Sequence, residues 1–253
     1  MSANMTAETA ESVGEAIEAA PANALARLDE SGPVFEGDFV LPRRGIIQPV
    51  SQIGTPGRIR CSVSGQEWSE FRLAVLVLRR GRVLWPSEIG GDPACKSNDG
   101  MYPAATVETP KAEVCTVVVG RRLQPACSLA MWGPKGERPP CRDTYAALCL
   151  DVEDGAPFLM SFAGTGLRSV RVLRTVAYQR KLSLFDLTAT LRLRRLSNTK
   201  GTFFVPEFVD FRTAQPLGLY RREFERFRGY DVQATFDSDP NGGANGRADA
   251  ETT

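Results

Sequence analysis

The sequence predicts a mainly β fold with one or two helices, organised as an OB-fold-like five-stranded barrel. Apolar and polar residues alternate with a period of two over residues 183–195, which is the pattern of a strand with one buried face. An Asp-Gly pair at residues 154–155 separates two apolar runs and is typical of a hairpin turn. A segment with helical apolar spacing follows the third predicted strand, where an OB-fold has its helix.

The first three strands are predicted from apolar runs and turn residues. The first covers residues 70–79 and is closed by a turn over residues 79–82. Residues 144–152 and 157–163 are the second and third strands, and the Asp-Gly turn predicts that they pair as a hairpin. No apolar run in the chain approaches the roughly 20 residues that are needed to cross a bilayer.

A helix is predicted over residues 165–180, followed by the fourth strand at 183–195 and the fifth at 202–211. A last amphipathic helix is expected over residues 217–227. Residues 84–143 then form an irregular, Cys-rich insertion between the first and second strands, where loops of this fold contact ligands. One stripe of the first helix collects its apolar residues, which are Leu167, Val170, Leu173, Val176 and Ala177.

The distribution of charge divides the chain into three parts. Residues 1–40 hold eight acids and one base, and residues 229–253 hold five acids and one base. Residues 41–228 therefore carry 29 bases and 17 acids, a charge of +12 that the net value of +1 conceals. We expect a largely disordered N-terminal segment, one folded domain and a flexible acidic tail. A basic body between acidic ends is typical of a protein that handles polyanions.

The chain contains no histidine. This excludes Ser-His-Asp triads, Cys-His pairs and histidine-based zinc hydrolysis, so that any catalyst would depend on carboxylates, Lys, Tyr or Cys. The sequence contains no phosphate-loop motif, and we expect a protein that is not an enzyme. The acidic N-terminus lacks the basic start and the apolar segment of a secretory signal. We therefore expect a cytoplasmic protein, in the host cytoplasm if viral, whose six cysteines are thiols or metal ligands.

A run of basic residues between positions 168 and 200 is the strongest functional signal. A charge run is usually a solvated helix face, but here Asp186 is the only acid from residue 166 to residue 206. Lysine and arginine that neutralise phosphates release condensed counterions, which gives affinity for nucleic acid of any sequence. The predicted phosphate-binding residues are Arg168, Arg171, Arg174, Lys181, Arg192, Arg194 and Lys200, with hydrogen bonds from Thr188 and Thr190.

Aromatic residues interleave with these charges, as a protein needs for stacking on single-stranded bases. Phe203 and Phe204 follow Lys200 and point to opposite faces of a strand, which leaves one of them free to stack. Trp132 lies near Lys135 and is the third predicted stacking residue. The more common role of each aromatic residue is burial in the core. This combination of charge and aromatics predicts a protein that binds single-stranded nucleic acid.

Four cysteines fall in the insertion, namely Cys95, Cys115, Cys127 and Cys141. Four thiolates can close one tetrahedral structural Zn²⁺ site, and a Gly/Pro-rich segment with little core gains most from such a site. The alternative role is four small buried hydrophobic residues, since the spacing contains no Cys-x-x-Cys pair. Cys61 and Cys149 are expected in the core.

Two alternative functions remain open from the sequence. Asp143, Asp151 and Glu153 belong to the only acidic cluster of the body and could bind Mg²⁺ in a metal-dependent nuclease. Acids are also common in hairpin turns, where Glu153 lies. A protein-interaction or regulatory module without DNA affinity is the other alternative.

Four short stretches carry a resemblance: Cys95-Lys-Ser-Asn-Asp-Gly-Met-Tyr-Pro103, Cys127-Ser-Leu-Ala-Met-Trp-Gly133, Pro140-Cys141 and Asn198-Thr-Lys-Gly-Thr-Phe-Phe-Val205. The chain resembles single-stranded-DNA-binding proteins of bacteriophages and mobile elements. It is similar in plan to the T4-type helix-destabilising protein, with an OB core, a zinc element and an acidic C-terminal tail. That zinc site includes a histidine, which this chain lacks. The resemblance implies protection or presentation of single-stranded DNA in phage or plasmid replication or recombination. From the charge of the acidic tail alone, we expect it to compete for the DNA-binding groove and to recruit replication or recombination proteins.

Overall fold

The structure is a computed structural model that describes residues 41–49, 51, 53–85, 93–105, 107, 110–199, 201–230 and 232. The acidic segment 1–40, all but three residues of the tail and Lys200 lie outside the described residues, so the predictions about them stay predictions. The described residues form antiparallel sheets and two helices, which confirms the predicted mainly β fold.

Eleven strands and two helices are formed by the described residues. The strands are β1 (Arg44–Ile46), β2 (Ile59–Cys61), β3 (Glu67–Trp68), β4 (Glu70–Leu84), β5 (Cys95–Ser97), β6 (Thr116–Val119), β7 (Arg122–Pro125), β8 (Cys141–Asp151), β9 (Pro157–Ala163), β10 (Leu187–Asn198) and β11 (Gly201–Thr213). The helices are α1 (Leu167–Gln179) and α2 (Arg221–Phe227).

The largest sheet has the order β11-β10-β4-β8-β9, and β5 pairs with the far end of β4. These five long strands and α1 are the predicted elements in the predicted chain order. The predicted turn over residues 79–82 is wrong, because β4 continues through it to Leu84. A Cβ atom on Gly81 would lie only 2.7 Å from the Ser97 carbonyl oxygen of β5. Glycine here permits a close approach of two strands and does not turn the chain.

The two edge strands of this sheet, β9 and β11, face each other without pairing. The rings of Phe162 on β9 and Phe208 on β11 have centroids 5.8 Å apart, and α1 contacts β8, β9 and β11. No sheet of the described residues is closed into a barrel. The sheet is therefore open, and side chains together with α1 occupy the gap between its edges.

Each face of the large sheet buries its own core. Leu73, Val75 and Leu191 point into the core that α1 covers. Ala74 belongs to the core on the opposite face, where α2 packs and the rings of Phe185 and Phe224 stack with centroids 4.8 Å apart. Successive side chains of a strand point to opposite faces, so Leu73 and Ala74 reach different sides of the protein. A bulge between Val75 and Val77 shifts this alternation along β4, and Leu76 and Val77 both belong to the core on the α2 side.

The segment between β4 and β8 is more regular than predicted. It contains β5 and a separate two-stranded sheet of β6 and β7, followed by a short 3-10 turn at Ser128–Ala130. A further sheet of β1, β2 and β3, which the sequence pattern did not indicate, precedes β4. Among the described residues, no helix has the length and apolar character that a membrane span requires.

Candidate nucleic-acid interface

Helix α1 turns a basic side to solvent. Val170, Leu173 and Ala177 are buried against the sheet, which gives the helix one apolar side with the spacing of an amphipathic helix. The exposed side carries the three arginines that the sequence predicted, Arg168, Arg171 and Arg174. The structure thus brings these three predicted residues together on one surface.

Three hydrogen bonds hold α1 in place along the open side of the sheet. The Ser169 hydroxyl donates to the carbonyl oxygen of Pro206 on β11. Arg180, just past the helix, donates from Nη1 to the carbonyl oxygen of Phe211 at 3.0 Å. Arg174 donates from Nη1 to the hydroxyl of Tyr145 on β8 at 3.4 Å. Helix α1 therefore bridges β8 and β11, and its arginines are attached to a rigid support.

Tyr178 lies on the same surface as these arginines and was not among the residues predicted from the sequence. It is 84% exposed and lies four residues after Arg174 and seven after Arg171, on the same side of α1. Its spacing of four residues from Arg174 is the signal in the sequence that places it on this surface. We name Arg168, Arg171, Arg174 and Tyr178 the α1 basic face.

The α1 basic face is not neutralised by its neighbours. Among the described residues, no carboxylate forms an ion pair with Arg168, Arg171 or Arg174. Lys181 follows α1 and is exposed, with a positive φ of 54°. Guanidinium groups on a fixed helix can bind phosphate, and in the described part of the chain no carboxylate is paired with these three.

The arginines of β10, unlike those of α1, have a carboxylate partner. Arg192 donates from Nη2 to Glu207 Oε2 at 3.0 Å, and Arg194 Nε lies 3.9 Å from Glu207 Oε1. Glu207 is their neighbour on β11 in the antiparallel register. The run of basic residues in the sequence did not reveal this ion pair, because Glu207 lies 15 residues away from Arg192 along the chain.

Two predicted hydrogen-bond donors on β10 also differ from each other. Thr188 is buried, and its hydroxyl lies 3.4 Å from both the Arg212 carbonyl oxygen and Arg72 Nη1. It is therefore engaged inside the protein and unable to reach a phosphate. Thr190 is half-buried, on the same face as Arg192.

The structure separates the helix arginines from the strand arginines. Helix α1 packs on the face of the sheet that carries Leu191. Arg192 and Arg194 alternate with Leu191 along β10 and point to the opposite face. The single groove expected from the sequence is thus two surfaces, of which the α1 basic face is the unpaired one.

Phe203 and Phe204 are both half-buried. The Gln48 side chain makes two hydrogen bonds to the backbone of Phe204. Gln48 Nε2 donates to the Phe204 carbonyl oxygen at 2.8 Å, and the Phe204 N–H donates to Gln48 Oε1 at 2.9 Å. The Phe204 ring lies against Gly57, where an added Cβ would be 2.8 Å from ring atoms. Phe204 is therefore packed against a loop. Trp132, the third predicted stacking residue, is 66% exposed.

The four cysteines of the insertion are all buried and lie near one another. Cys95 and Cys141 are the register partners of Leu84 on its two sides, and Cys115 and Cys127 flank the foot of the β6–β7 hairpin. Burial raises the pKa of Cys115, and the nearby Cys95 raises it further. Burial also raises the pKa of Cys141 to about 12.

Four thiols are a donor set that suits a structural zinc site chemically. In the described part of the chain, no three His, Cys, Asp or Glu side chains form a group that could hold a metal ion. The zinc site stays a prediction from the sequence. Cys61 and Cys149 are buried, which confirms their predicted place in the core.

The acids of the nuclease alternative are distributed along one strand. Asp143 binds Arg80 at 3.0 Å and Arg82 at 3.2 Å near the start of β8, while Asp151 binds Arg44 at its end. Eight residues of extended strand place them roughly 26 Å apart, so that they are too distant to share one metal ion. Glu153 follows in the turn, where its N–H donates to Asp151 Oδ1 at 2.9 Å.

In comparisons with protein-family models, with curated proteins and with solved structures, nothing matches this chain.

Proposed function

We propose that this protein binds single-stranded DNA through the α1 basic face and does so without catalysing a reaction. The observation that carries the proposal is the set of three exposed arginines that have no carboxylate partner among the described residues, beside an exposed tyrosine. Exposed arginine and tyrosine side chains on one rigid helix provide both parts of single-strand recognition, a charge for the backbone and a ring for a base.

Each part contributes a distinct kind of affinity. Arg168, Arg171 and Arg174 neutralise successive phosphates, so that binding weakens as salt rises. Tyr178 stacks on a base, and stacking tolerates any sequence because every base has a π face. Lys181 extends the positive charge beyond the end of α1.

The second surface, formed by Arg192 and Arg194 on β10, contributes less to the affinity for DNA. Arg192 and Arg194 share Glu207, and a phosphate that binds them must compete with this carboxylate. Exposed ion pairs are worth only about 0–1 kcal/mol, so that the competition weakens but does not abolish binding. In our proposal, Trp132 and Lys200, which lies outside the described residues, add to this second contribution.

The fold proposed for this function is a modified OB-fold. Its support is the strand order β11-β10-β4-β8-β9 together with α1 between the third and fourth of the long strands. We propose a role in phage or plasmid replication or recombination, in the cytoplasm, on the basis of the resemblance of the cysteine- and lysine-containing stretches described above.

A salt series tests the proposal directly. Labelled oligo-dT and a duplex of equal length are titrated with the wild type and with Arg171→Ser/Arg174→Ser. The wild type should prefer the single strand, and the double variant should lose about 1.4 units of salt slope, at roughly 0.7 per phosphate contact on single strands. Arg222→Ser, which removes an exposed arginine from α2, is the control and should leave the slope unchanged.

Two results would overturn the proposal. Absence of oligo-dT binding at about 50 mM salt, where counterion release favours binding, would indicate a protein-interaction or regulatory module. Cleavage of the labelled DNA on addition of Mg²⁺ would indicate a nuclease.

A further inference from the structure

The hairpin of β6 and β7 stands apart from the rest of the protein as an exposed arm. Its two strands pair with each other and with no other described strand. They are joined at Gly120 and Arg121, and the positive φ of 62° at Gly120 suits the tight turn of a two-residue hairpin loop. We name residues 117–124 the insertion arm.

Both faces of the insertion arm expose apolar side chains. Val118 and Leu123 are register partners on one face, at 61% and 50% exposure. Val117 and Val119 are exposed on the other face. An isolated two-stranded hairpin is marginally stable in water, and exposed apolar patches mark contact sites. A partner that encloses the arm from both sides would cover both faces.

The charge of the arm indicates the chemistry of that partner. Arg121 at the turn and Arg122 beside it are exposed, and residues 117–124 contain no acid. A partner that binds the two arginines should be negatively charged, and one that covers both apolar faces should have a groove that encloses the arm. The major groove of duplex nucleic acid meets both conditions, since its phosphate walls admit a two-stranded β-ribbon.

The dimensions and the anchoring of the arm agree with this partner. Four residues of an antiparallel strand span roughly 13 Å, which exceeds the roughly 8.5 Å depth of the major groove. At the foot, buried Arg82 donates from Nε to Thr116 Oγ1 at 3.2 Å, and the Ala126 N–H donates to the Cys115 carbonyl oxygen at 3.0 Å. The arm therefore projects from a fixed base.

We propose that the insertion arm enters the major groove of duplex DNA, so that the protein binds where a duplex adjoins a single strand. This inference goes beyond the proposed function, because a groove exists only where the nucleic acid is paired. Arg121 and Arg122 would bind phosphates or base edges, and the valines would contact the groove walls.

The test compares three DNA probes with one arm variant and one control. The probes are oligo-dT, a blunt duplex and a duplex with an oligo-dT tail, and the variants are Arg121→Ser/Arg122→Ser and Arg222→Ser. At low salt, we expect the arm variant to bind the two duplex probes about tenfold more weakly, with unchanged affinity for oligo-dT. A second variant, Val118→Thr/Leu123→Thr, keeps the charge and should weaken duplex binding several-fold.

Three outcomes would contradict the proposal. Unchanged duplex affinity of both arm variants would remove the arm from the DNA interface. Unchanged duplex affinity with a loss of dimer in light scattering would assign the arm to a second copy of the chain. An equal loss on oligo-dT and on the duplexes would show that the arm does not depend on a groove. Failure of the wild type to bind oligo-dT affects the proposed function alone, because the blunt duplex still reports on the arm.

Discussion

Arg44 and Asp151 form an ion pair inside the protein, with 2.6 Å between Nη1 and Oδ2 and only 5% exposure of each side chain. The Arg44 guanidinium also lies against three aromatic rings, at 4.3 Å from the centroid of Trp68, 4.5 Å from Phe71 and 4.0 Å from Phe158. This contact connects the first small sheet, through β1, to the end of β8. Asp151 therefore has a structural partner, which bears on its suggested role as a metal ligand.

Replacing Asp151 with alanine should lower the free energy of unfolding by about 3–5 kcal/mol, because it leaves a buried guanidinium without its carboxylate. Urea unfolding followed by Trp fluorescence measures the change. The pair replacement Arg44→Met/Asp151→Leu should recover most of the stability, since a buried ion pair is often no more stable than apolar side chains of similar volume. A loss below about 1 kcal/mol in Asp151→Ala would contradict the structural role.

Replacing Tyr178 with alanine should weaken binding of oligo-dT by about 1–3 kcal/mol, the range for loss of one base–aromatic stack. The side chain is 84% exposed, so the free energy of unfolding should change little. Tyr102→Ala is the matched control, since it removes an exposed tyrosine from the insertion. Equal affinities of the two variants would argue against stacking on α1.

Replacing Gln48 with alanine should loosen the start of β11. Gln48 makes two hydrogen bonds to the Phe204 backbone, and loss of such bonds at a half-buried site costs about 1 kcal/mol. Hydrogen exchange of the Phe204 amide should become faster, while the amides of β4 keep their protection. Gln48→Glu retains only the hydrogen-bond acceptor, and its exchange rate at the Phe204 amide should lie between those of the wild type and Gln48→Ala. Unchanged exchange at Phe204 would contradict this role.

The buried thiols predict a loss of stability at alkaline pH. Burial raises the pKa of Cys141 from 9.0 to about 12 and also raises the pKa of Cys149. In the unfolded chain these thiols ionise near pH 9, so their contribution is complete below that pH and is lost as pH rises toward 12. Each thiol lowers the free energy of unfolding by up to about 1.4 kcal/mol for each pH unit in this range.

Urea midpoints between pH 8 and pH 10.5, in the presence of reductant, measure this fall. Cys141→Ala should show a shallower fall than the wild type, because one thiol fewer ionises on unfolding. The tyrosines and lysines that titrate in the same range are common to both proteins. Parallel profiles would show that Cys141 is not buried as described.

Removal of residues 237–253 should tighten binding of oligo-dT at low salt, because the acidic tail competes with DNA for the basic body. The effect should vanish as salt screens the charges. A full-length variant in which the tail acids are replaced by their amides separates charge from length and should match the truncation. An affinity that is the same with and without the tail would contradict the competition.

The order of the long strands and of α1 could be predicted because period-two and period-3.6 patterns are local. Strand β9 was predicted with its observed bounds, and α1 begins and ends within two residues of its prediction. Two features depended on distant partners and were missed. Gly81 has the sequence context of a turn residue, but in the structure it lies in β4 between β5 and β8. The sheet of β1, β2 and β3 contains strands of only two or three residues. Such strands carry too few residues to show a period.

The charge of the domain, the absence of histidine and the alternation of the long strands follow from composition and from neighbours along the chain. Which basic residues have a carboxylate partner depends instead on how the strands and helices pack in three dimensions. Glu207 reaches Arg192 through the antiparallel register of β10 and β11, whereas the position of α1 leaves Arg171 and Arg174 without a described carboxylate partner. The physical reason is that ion pairs form between residues close in space, and strand pairing brings together residues that are far apart in sequence.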